Sequence, residues 1–386
     1  MTHHWVPFHR PEITEDEIQS VVATLRSGWL TTGPKVKRFE EQFAGYLGCR
    51  HAVAVNSGTA ALHLALDAVG IKEGDEVIVP TMTFAATAEV VFYLKAKPVL
   101  VDCRPDTLNI DPEQIENAIT SKTRAIIPVH FGGQPCEMDR ILEIARQYKV
   151  KVIEDAAHAL PASYRDKKVG AIGDITCFSF YATKTITTGE GGMATTENSE
   201  WAERMRMMSL HGISHDAWKR YTKEGSWYYE ILNPGFKYNL TDIAAAIGIE
   251  QLKKCDEFRK AREKIAKIYD RSFADLEEIQ TPVRRSSPEH AWHLYVIELN
   301  LDHLQITRNQ FIDALREEQI GTSVHFIPLH LHPYYRDNFG YHPSDFPNAS
   351  SAFEWIVSLP IYPRMTEADV ESVIGAVRKI VKQNRR

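Results

Sequence analysis

The residues Ser57, Gly58 and Thr59 could bind an anion. They follow a short apolar run at residues 52–55 and precede a helical pattern. A strand that turns directly into a helix presents free backbone N–H groups at the positive end of the helix dipole, and the two hydroxyls add donors. The same residue types are also ordinary helix caps and turn formers. This segment alone therefore leaves a phosphate site and a simple helix cap as alternatives.

An acidic pair, Glu154 and Asp155, ends an apolar run at residues 150–153. Open α/β sheets bind ligands at the carboxyl ends of their strands. A buried aspartate is costly unless it accepts hydrogen bonds or meets a cation, so Asp155 could bind a cationic group or cap the next helix. His158, three residues on, would share a helical face with Asp155. A single histidine of this kind is more often a core residue than a catalyst.

Lys184 is the one lysine of residues 178–192, which are rich in aromatic, hydroxyl and glycine residues. A lysine in an apolar setting loses its charge easily, as Schiff-base chemistry requires. The glycines allow close approach of the backbone to a ligand. A surface loop with a solvated lysine is the alternative.

Together, the three segments contain the parts of a pyridoxal 5′-phosphate (PLP) site. The turn at residues 57–59 would bind the phosphate. Asp155 would keep the pyridine nitrogen protonated, and Lys184 would form an imine with the aldehyde. The combination favours PLP chemistry more strongly than any one segment does.

Further segments, spread over nearly the whole chain, match a known family as a set. They are SGWLTTGP at 27–34, SGT at 57–59, PTMTF at 80–84, EDAAH at 154–158, residues 179–192, GFKYNLTD at 235–242 and SLP at 358–360. With these motifs the chain resembles the DegT/StrS-type sugar aminotransferases, which have fold type I of the PLP enzymes. Residues 237–242 and 290–294 look closest to the branch that makes UDP-4-amino-4-deoxy-L-arabinose.

The resemblance implies a role for each matching residue. Lys184 would form the Schiff base, Asp155 would hold the pyridinium, and His158 would lie beside the ring near its 3′-oxygen. The other implied cofactor contacts are Ser57, Gly58, Thr59, Ser179, Phe84 on the ring face and, from the second subunit of a homodimer, Asn239. Tyr181 departs from the pattern, because relatives often have histidine there.

The resemblance also implies the substrates, with L-glutamate as amino donor and a nucleotide-linked keto-sugar as acceptor. The arabinose branch makes a UDP-4-keto-sugar the expected acceptor, for cell-surface polysaccharide or lipopolysaccharide biosynthesis. In the loop at residues 28–35, Trp29, Thr32 and Lys35 could stack on and hydrogen-bond a nucleotide sugar; a plain helix–helix connection is the alternative. His325 and Phe326 are expected at the mouth of the site.

Three rival functions stay open at this point. A PLP-dependent sugar dehydratase is disfavoured, because family members that dehydrate sugars carry histidine where this chain has Lys184. A non-catalytic regulator that keeps the fold is the second. A metal hydrolase built on His330 and His332 is the third, but no cysteine or carboxylate cluster accompanies them, so we predict no metal site.

Regularly spaced apolar runs supply the strands that would position these residues. They lie at 52–55, 77–79, 99–101, 125–129 and 150–153 and alternate with helical patterns such as residues 137–148. This order predicts an α/β fold with a mainly parallel sheet.

Two helices should precede the sheet. The first opens with a capping box at Thr14, carries an apolar stripe and ends at Gly28. The stripe consists of Ile18, Val21, Val22 and Leu25. The second helix is expected at residues 36–47.

The pattern changes after about residue 251. Helices are expected at 255–273, 308–318 and 366–382, and strands at 292–298 and 322–325. We therefore expect a large PLP-binding α/β domain at residues 1–250, including the N-terminal helices, and a smaller α+β domain at residues 251–386.

Composition limits the class of protein. The chain has 386 residues, of which 44% are hydrophobic and 25% charged, as in globular proteins. A net charge of −6 disfavours a general nucleic-acid-binding role. Five scattered cysteines without a CxxC pair indicate reduced thiols and a cytoplasmic location. Neither a membrane span nor a secretory signal is expected.

Overall fold

A computed structural model describes residues 4–214, 228–283 and 289–386. Within these ranges the largest sheet has seven strands, in the spatial order β1-β9-β8-β5-β4-β2-β3, and a two-stranded hairpin, β6–β7, lies apart from it. Their bounds are β1 His51–Val55, β2 Glu76–Pro80, β3 Lys97–Val101, β4 Thr123–Ile126, β5 Lys151–Asp155, β6 Ser163–Tyr164, β7 Lys167–Lys168, β8 Ile175–Ser179 and β9 Gly192–Thr196.

The large sheet is mainly parallel, as predicted. Strand β9 pairs antiparallel with β8 and β1, and the other four pairings are parallel. Val77, Ile78 and Val79 of β2 are all fully buried. Such an unbroken apolar strand is typical of a sheet covered on both faces. Strands β8 and β9 were not predicted individually, because their sequences mix threonine and serine with apolar residues.

Helices cover both faces of this sheet and continue into the C-terminal region. They are α1 Glu15–Ser27, α2 Pro34–Leu47, α3 Gly58–Ala68, α4 Ala86–Tyr93, α5 Pro112–Ala118, α6 Met138–Tyr148, α7 Ser199–Met208, α8 Asp242–Lys253, α9 Cys255–Phe273, α10 Arg308–Glu317, α11 Pro333–Phe339, α12 Pro347–Trp355 and α13 Glu367–Asn384. Across the described ranges of the chain, none of them combines the length and apolar character needed to cross a membrane.

Helix α1 begins and ends as predicted but turns its polar face inward. Its buried residues are Glu17 and Thr24, whereas Ile18 and Leu25 are 47% and 51% exposed. Glu17 accepts hydrogen bonds from Lys254 Nζ at 2.9 Å and from Gln251 Nε2 at 2.9 Å. This buried ionic contact fixes the rotation of the helix, so the apolar stripe does not face the core of the protomer.

The C-terminal region contains an antiparallel sheet formed by β10 Ile279–Gln280, β11 Tyr295–Leu299 and β12 Ile356–Leu359. Strand β11 starts later than predicted, because Trp292 has a φ of 53° and cannot belong to an extended strand. The strand predicted at residues 322–325 is wrong: this stretch forms a single bridge, between Ser323 and Ser358.

Helix α9 joins two hydrophobic cores. Phe258, in its first half, packs with residues of α2, β1 and α8. Tyr269, in its second half, packs with β11, β12, α10 and α13. The domain boundary near residue 250 stays a prediction, since a single rigid helix serves both cores.

Candidate active site

Asp155 is the last residue of β5, at the carboxyl end of the parallel strands. It is buried, with 6% exposure. Its Oδ2 accepts a hydrogen bond from Thr87 Oγ1 at 2.8 Å, and its Oδ1 accepts one from the Ala157 N–H at 3.1 Å. Burial raises the pKa of the carboxyl group, although both hydrogen bonds and the nearby Lys184 oppose that shift. This carboxylate is therefore placed to receive a cationic group.

Lys184 lies in the loop between β8 and β9, close to Asp155. The backbone N–H of Lys184 donates to the carbonyl of Tyr181 at 2.9 Å, which tightens the loop. Burial lowers the pKa of the lysine to about 8, and the charge of Asp155 acts in the opposite direction. Lys184 is half-buried, and its amine is easily deprotonated, which is the property that Schiff-base chemistry requires.

The predicted phosphate turn lies against the end of β8. Ser57 is the N-cap of α3 and accepts the Ala60 N–H at 3.0 Å, so the helix-cap reading of this residue is correct. A Cβ on Gly58 would lie 3.0 Å from Cβ of Ser179, so glycine lets the two segments touch. Gly58 and Thr59 are the first two residues of α3, whose backbone N–H groups have no partner within the helix and could bind an anion. Thus the cap and the candidate phosphate site coexist.

His158 stands among aromatic rings, although not on a helix. Residues 156–161 form a turn, so the prediction that His158 shares a helical face with Asp155 is wrong. The His158 ring lies 4.3 Å from that of His293 and 5.7 Å from that of Phe326. Burial lowers the pKa of both histidines well below the ordinary value, so the imidazoles are neutral. Among the described residues, the buried His158 Nδ1 has no hydrogen-bond partner.

Phe84 and His325 border the same ring cluster. Phe84 is 64% exposed, and its ring lies 6.2 Å from that of Phe326. His325 Nδ1 is 2.9 Å from Ser358 Oγ, and burial together with Lys184 lowers the pKa of His325 to about 4. The two predicted mouth residues, His325 and Phe326, therefore both lie beside His158, with ring centroids 6.5 and 5.7 Å from its own.

The loop at residues 28–35 uses its polar groups within the protein. Trp29 Nε1 donates to the carbonyl of Thr32 at 3.0 Å. Thr32 Oγ1 donates to the carbonyl of Leu240 at 2.6 Å, and Lys35 Nζ donates to Ser20 Oγ at 3.3 Å. This loop therefore has the structural role of a helix–helix connection in the protomer, which was the stated alternative to substrate binding.

Asn239 belongs to the same assembly as this loop. Its Nδ2 donates to Thr32 Oγ1 at 2.7 Å, and its Oδ1 accepts from Lys237 Nζ at 2.6 Å. Asn239 also pairs with Val55, at the end of β1. Asn239 and Thr32 are therefore held in one hydrogen-bonded group.

The histidine-rich segment at residues 325–332 supports packing. His330 is buried, with Nδ1 2.7 Å from Thr81 Oγ1 and Nε2 2.9 Å from Ser350 Oγ, and its ring stacks on Phe346. Both ring nitrogens are therefore in use. Across the ranges the structure describes, no group of three or more His, Cys, Asp or Glu side chains is placed to hold a metal ion.

Two residues near the site were given no role in the sequence analysis. Thr87 is an ordinary helix residue in sequence, yet it donates to Asp155. His293 lies within a motif of the resemblance, yet its ring contact with His158 connects segments far apart in the chain. Only the folded structure brings these pairs together.

These residues fit PLP. A Cβ on Gly58 would press against Ser179, so glycine lets the candidate phosphate turn and the candidate phosphate ligand Ser179 lie in contact. Asp155 could accept a hydrogen bond from a protonated pyridine nitrogen, and Lys184, which interacts electrostatically with Asp155, has an amine that could condense with the aldehyde. His158 Nδ1, which has no hydrogen-bond partner within residues 4–214, 228–283 and 289–386, offers a polar partner for a ring substituent in a buried position.

Comparisons with known sequences show the family of the chain. The sequence model of the DegT/DnrJ/EryC1/StrS aminotransferase family matches residues 11–378. An uncharacterized protein of Methanocaldococcus jannaschii is 58% identical over 381 residues, which cover 99% of both chains. The spore coat polysaccharide biosynthesis protein SpsC of Bacillus subtilis is 51% identical over 380 residues, or 98% of both chains.

Solved structures show the same fold and the cofactor. Spr1654 of Streptococcus pneumoniae, described as a sugar aminotransferase and solved in its PMP form, superposes with a TM-score of 0.92 at 35% identity over 98% of both chains. It has also been solved in its PLP form. PseC of Helicobacter pylori, an aminotransferase involved in the biosynthesis of pseudoaminic acid, gives a TM-score of 0.91 at 28% identity over 98% of this chain and 100% of its own. The chain has the PLP-dependent transferase fold, uses PLP as a sugar aminotransferase, and belongs to the DegT/DnrJ/EryC1/StrS aminotransferase family.

Proposed function

We propose that the protein transfers the amino group of L-glutamate to a UDP-linked 4-keto-sugar that is used for a cell-surface polysaccharide. The observation that carries this proposal is the convergence of Lys184, Asp155 and the phosphate turn in a member of a sugar aminotransferase family. The names of SpsC and PseC, in polysaccharide and pseudoaminic acid biosynthesis, support a surface-sugar substrate. Residues 237–242 and 290–294, which resemble the aminoarabinose branch, favour UDP and the C4 position.

Bound PLP supplies an aldehyde that condenses with amines and a ring that withdraws electrons from the carbon losing its proton. Lys184 is the covalent anchor and then the proton carrier. With a pKa of about 8, its amine is present in both protonation states near neutral pH, so it can accept a proton at one carbon and return it at another.

Asp155 and its surroundings hold the cofactor in one orientation. The Asp155 carboxylate would keep the pyridine nitrogen protonated, because a buried anion stabilises a neighbouring cation strongly. The Gly58 and Thr59 N–H groups, with the Ser57 and Ser179 hydroxyls, would bind the phosphate. Neutral His158 and Phe84 would contact the ring. The low pKa of His158 keeps a second positive charge away from the pyridinium.

Acceptor binding is assigned to the mouth residues. His325 has one ring nitrogen engaged by Ser358, which leaves the other for a sugar hydroxyl, and Phe326 offers an apolar surface. Trp29, Thr32 and Lys35 would act in the neighbouring site of a homodimer, since Thr32 is hydrogen-bonded to Asn239. Asn239 would reach the phosphate in that neighbouring site.

Surface features support the homodimer. Ile18 and Leu25 of α1 are about half exposed, as are Tyr228 and Tyr229. Exposed large apolar side chains are found on surfaces that another subunit covers. Helix α1 is also next to the loop that carries Trp29 and Thr32, which would place that loop at the subunit boundary.

The test is incubation of the PLP-loaded enzyme with L-glutamate and a set of keto-sugar nucleotides, followed by NMR of the amino-sugar product. We expect an amine on C4 of a UDP-linked sugar. Lys184→Ala is the inactive control, and Lys72→Ala, which changes an exposed lysine in the turn after α3, is the matched active control. Amination at C3, or activity only with GDP- or dTDP-linked sugars, would contradict the proposed acceptor and leave the aminotransferase activity intact.

A further inference from the structure

Two buried threonines form a hydrogen-bonded chain that ends on Asp155. Thr83 Oγ1 lies 2.7 Å from Thr87 Oγ1, and Thr87 Oγ1 lies 2.8 Å from Asp155 Oδ2. Thr83 and Thr87 are 1% and 0% exposed. Neither hydroxyl can exchange its partner for bulk water, so the chain is part of the fixed structure around the site.

The direction of the chain follows from the chemistry of its members. An ionised carboxylate only accepts hydrogen bonds, and a threonine has one hydroxyl hydrogen. The hydrogen of Thr87 therefore points to Asp155, and Thr83 must donate to Thr87. The other oxygen of Asp155 accepts the Ala157 N–H at 3.1 Å. Both oxygens thus have a fixed donor, one from α4 and one from the backbone of the turn.

We infer that Thr87 is a positioning residue for Asp155, and that Thr83 fixes Thr87 for this purpose. With donors on both oxygens, the carboxylate cannot rotate freely about its last bond, so its remaining lone pairs keep one direction. The inference rests on the proposed role of Asp155 in binding the pyridine nitrogen. It assigns the two threonines an indirect role, because they orient Asp155 and need not touch the cofactor.

The position of Thr83 links this chain to the rest of the site. Thr83 directly precedes Phe84, which is proposed to cover the ring face. Two residues earlier, Thr81 contacts His330 of the C-terminal region at 2.7 Å. One short loop after β2 therefore orients Asp155, presents Phe84 and attaches to the C-terminal segment that carries the mouth residues.

Glu154, the residue before Asp155, provides a matched control. Thr176 Oγ1 donates to Glu154 Oε1 at 2.7 Å, and Thr176 is 1% exposed. This bond also joins a buried threonine to a carboxylate, and both carboxylates, Glu154 and Asp155, belong to β5. Because side chains of adjacent strand residues point to opposite faces, Glu154 faces away from Asp155. Thr176→Val thus removes an equivalent bond without touching the proposed chain.

The experiment compares Thr87→Val, Thr87→Ser, Thr83→Val, Thr176→Val and Asp155→Asn in the full chain. The readouts are the PLP dissociation constant of the apoenzyme and the pH titration of the bound cofactor's absorbance. We expect Thr87→Val to raise the dissociation constant about 10-fold or more, since a hydrogen bond to a charged group is lost. We expect the titration midpoint to move in the same variant, and Thr87→Ser to restore both readouts to within about threefold.

Thr83→Val should give a smaller change in the same direction, and it tests the chain even where Thr87→Val fails to fold. Thr176→Val should lower the melting temperature and leave both cofactor readouts unchanged. Wild-type readouts in Thr87→Val and Thr83→Val would overturn the inference, as would an equal change in Thr176→Val. Wild-type readouts in Asp155→Asn would instead contradict the proposed role of Asp155 itself, which separates the two failures.

Discussion

The residues around Lys184 and the residues of the loop at 28–35 differ in how fully the protein uses their polar groups. Burial lowers the pKa of Lys184 and raises the pKa of Asp155. In the described part of the chain, the buried His158 Nδ1 has no hydrogen-bond partner. In the loop, Trp29 and Thr32 each donate to a backbone carbonyl.

This difference separates groups kept ready for a ligand from groups that hold the fold together. Buried charges and unpaired polar atoms destabilise a protein, so their clustering around Lys184 indicates binding chemistry. In the loop the Trp29 and Thr32 donors are paired within the protein, so they do not destabilise the fold in this way. The proposed contact of the loop with substrate depends on a neighbouring subunit.

The largest effect is expected for Lys184→Ala. Without the amine, neither the covalent anchor nor the proton carrier remains, so glutamate-dependent turnover should fall at least about 10³-fold. The measurement is formation of 2-oxoglutarate, with Lys72→Ala as the control that keeps normal turnover. Retention of more than about a tenth of the wild-type rate would show that Lys184 is not the essential lysine.

Asp155→Asn should lose most activity and retain PLP weakly. A neutral amide cannot stabilise the protonated pyridine nitrogen, and losing a charge-assisted hydrogen bond corresponds to roughly 10- to 100-fold in rate. Steady-state kinetics with glutamate measure the loss. Near-normal turnover would remove Asp155 from the chemistry and leave its burial as a structural feature.

Mixing subunits tests the other side of the comparison. If Asn239 serves the neighbouring site, inactive Lys184→Ala and inactive Asn239→Asp subunits should form heterodimers with one complete site each. Random exchange makes half of the dimers heterodimers, so about a quarter of wild-type activity should return. Failure to recover activity after verified exchange would place Asn239 in the site of its own subunit.

The smallest effect is expected in the stability of the apoprotein. The pKa of Lys184 is lowered from 10.5 to about 8 in the folded state, so between these pH values the unfolded chain binds more protons and stability rises with pH. Lys184→Met removes this term. The variant should be more stable at pH 7, by on the order of 1 kcal/mol because solvent still reaches the side chain.

That advantage should shrink as the pH rises towards 10.5, and urea unfolding of both apoproteins at several pH values measures it. A variant less stable than wild type throughout this range would mean that the lysine contributes favourable contacts in the folded state.

Much of the fold could be predicted from the sequence because its strands are continuous apolar runs and its helices have clear caps. The prediction of α9 at residues 255–273 matches its observed bounds. The inward face of α1 could not be predicted, since it depends on Lys254, a residue distant in sequence. Hydrophobic periodicity shows which face a helix could bury. In α1 the ion pair between Glu17 and Lys254 turns the opposite, polar face inward.

In the candidate site, too, some residues could be identified from the sequence and others could not. Lys184, Asp155 and the turn at residues 57–59 stand out in the sequence because unusual residue types cluster there. Thr87 and His293 do not, because their importance lies in contacts between distant segments. The turn after β5 was also mistaken for a helix, since the short run around His158 has ordinary helix-forming residues.

The central claim is that Lys184 carries the cofactor, and borohydride trapping tests it most directly. The PLP-loaded enzyme is reduced, digested and mapped by mass spectrometry. We predict a single pyridoxyl-modified peptide with the modification on Lys184, which is lost in Lys184→Ala and kept in Lys72→Ala. A pyridoxyl group on any other lysine of the wild-type enzyme would contradict the account.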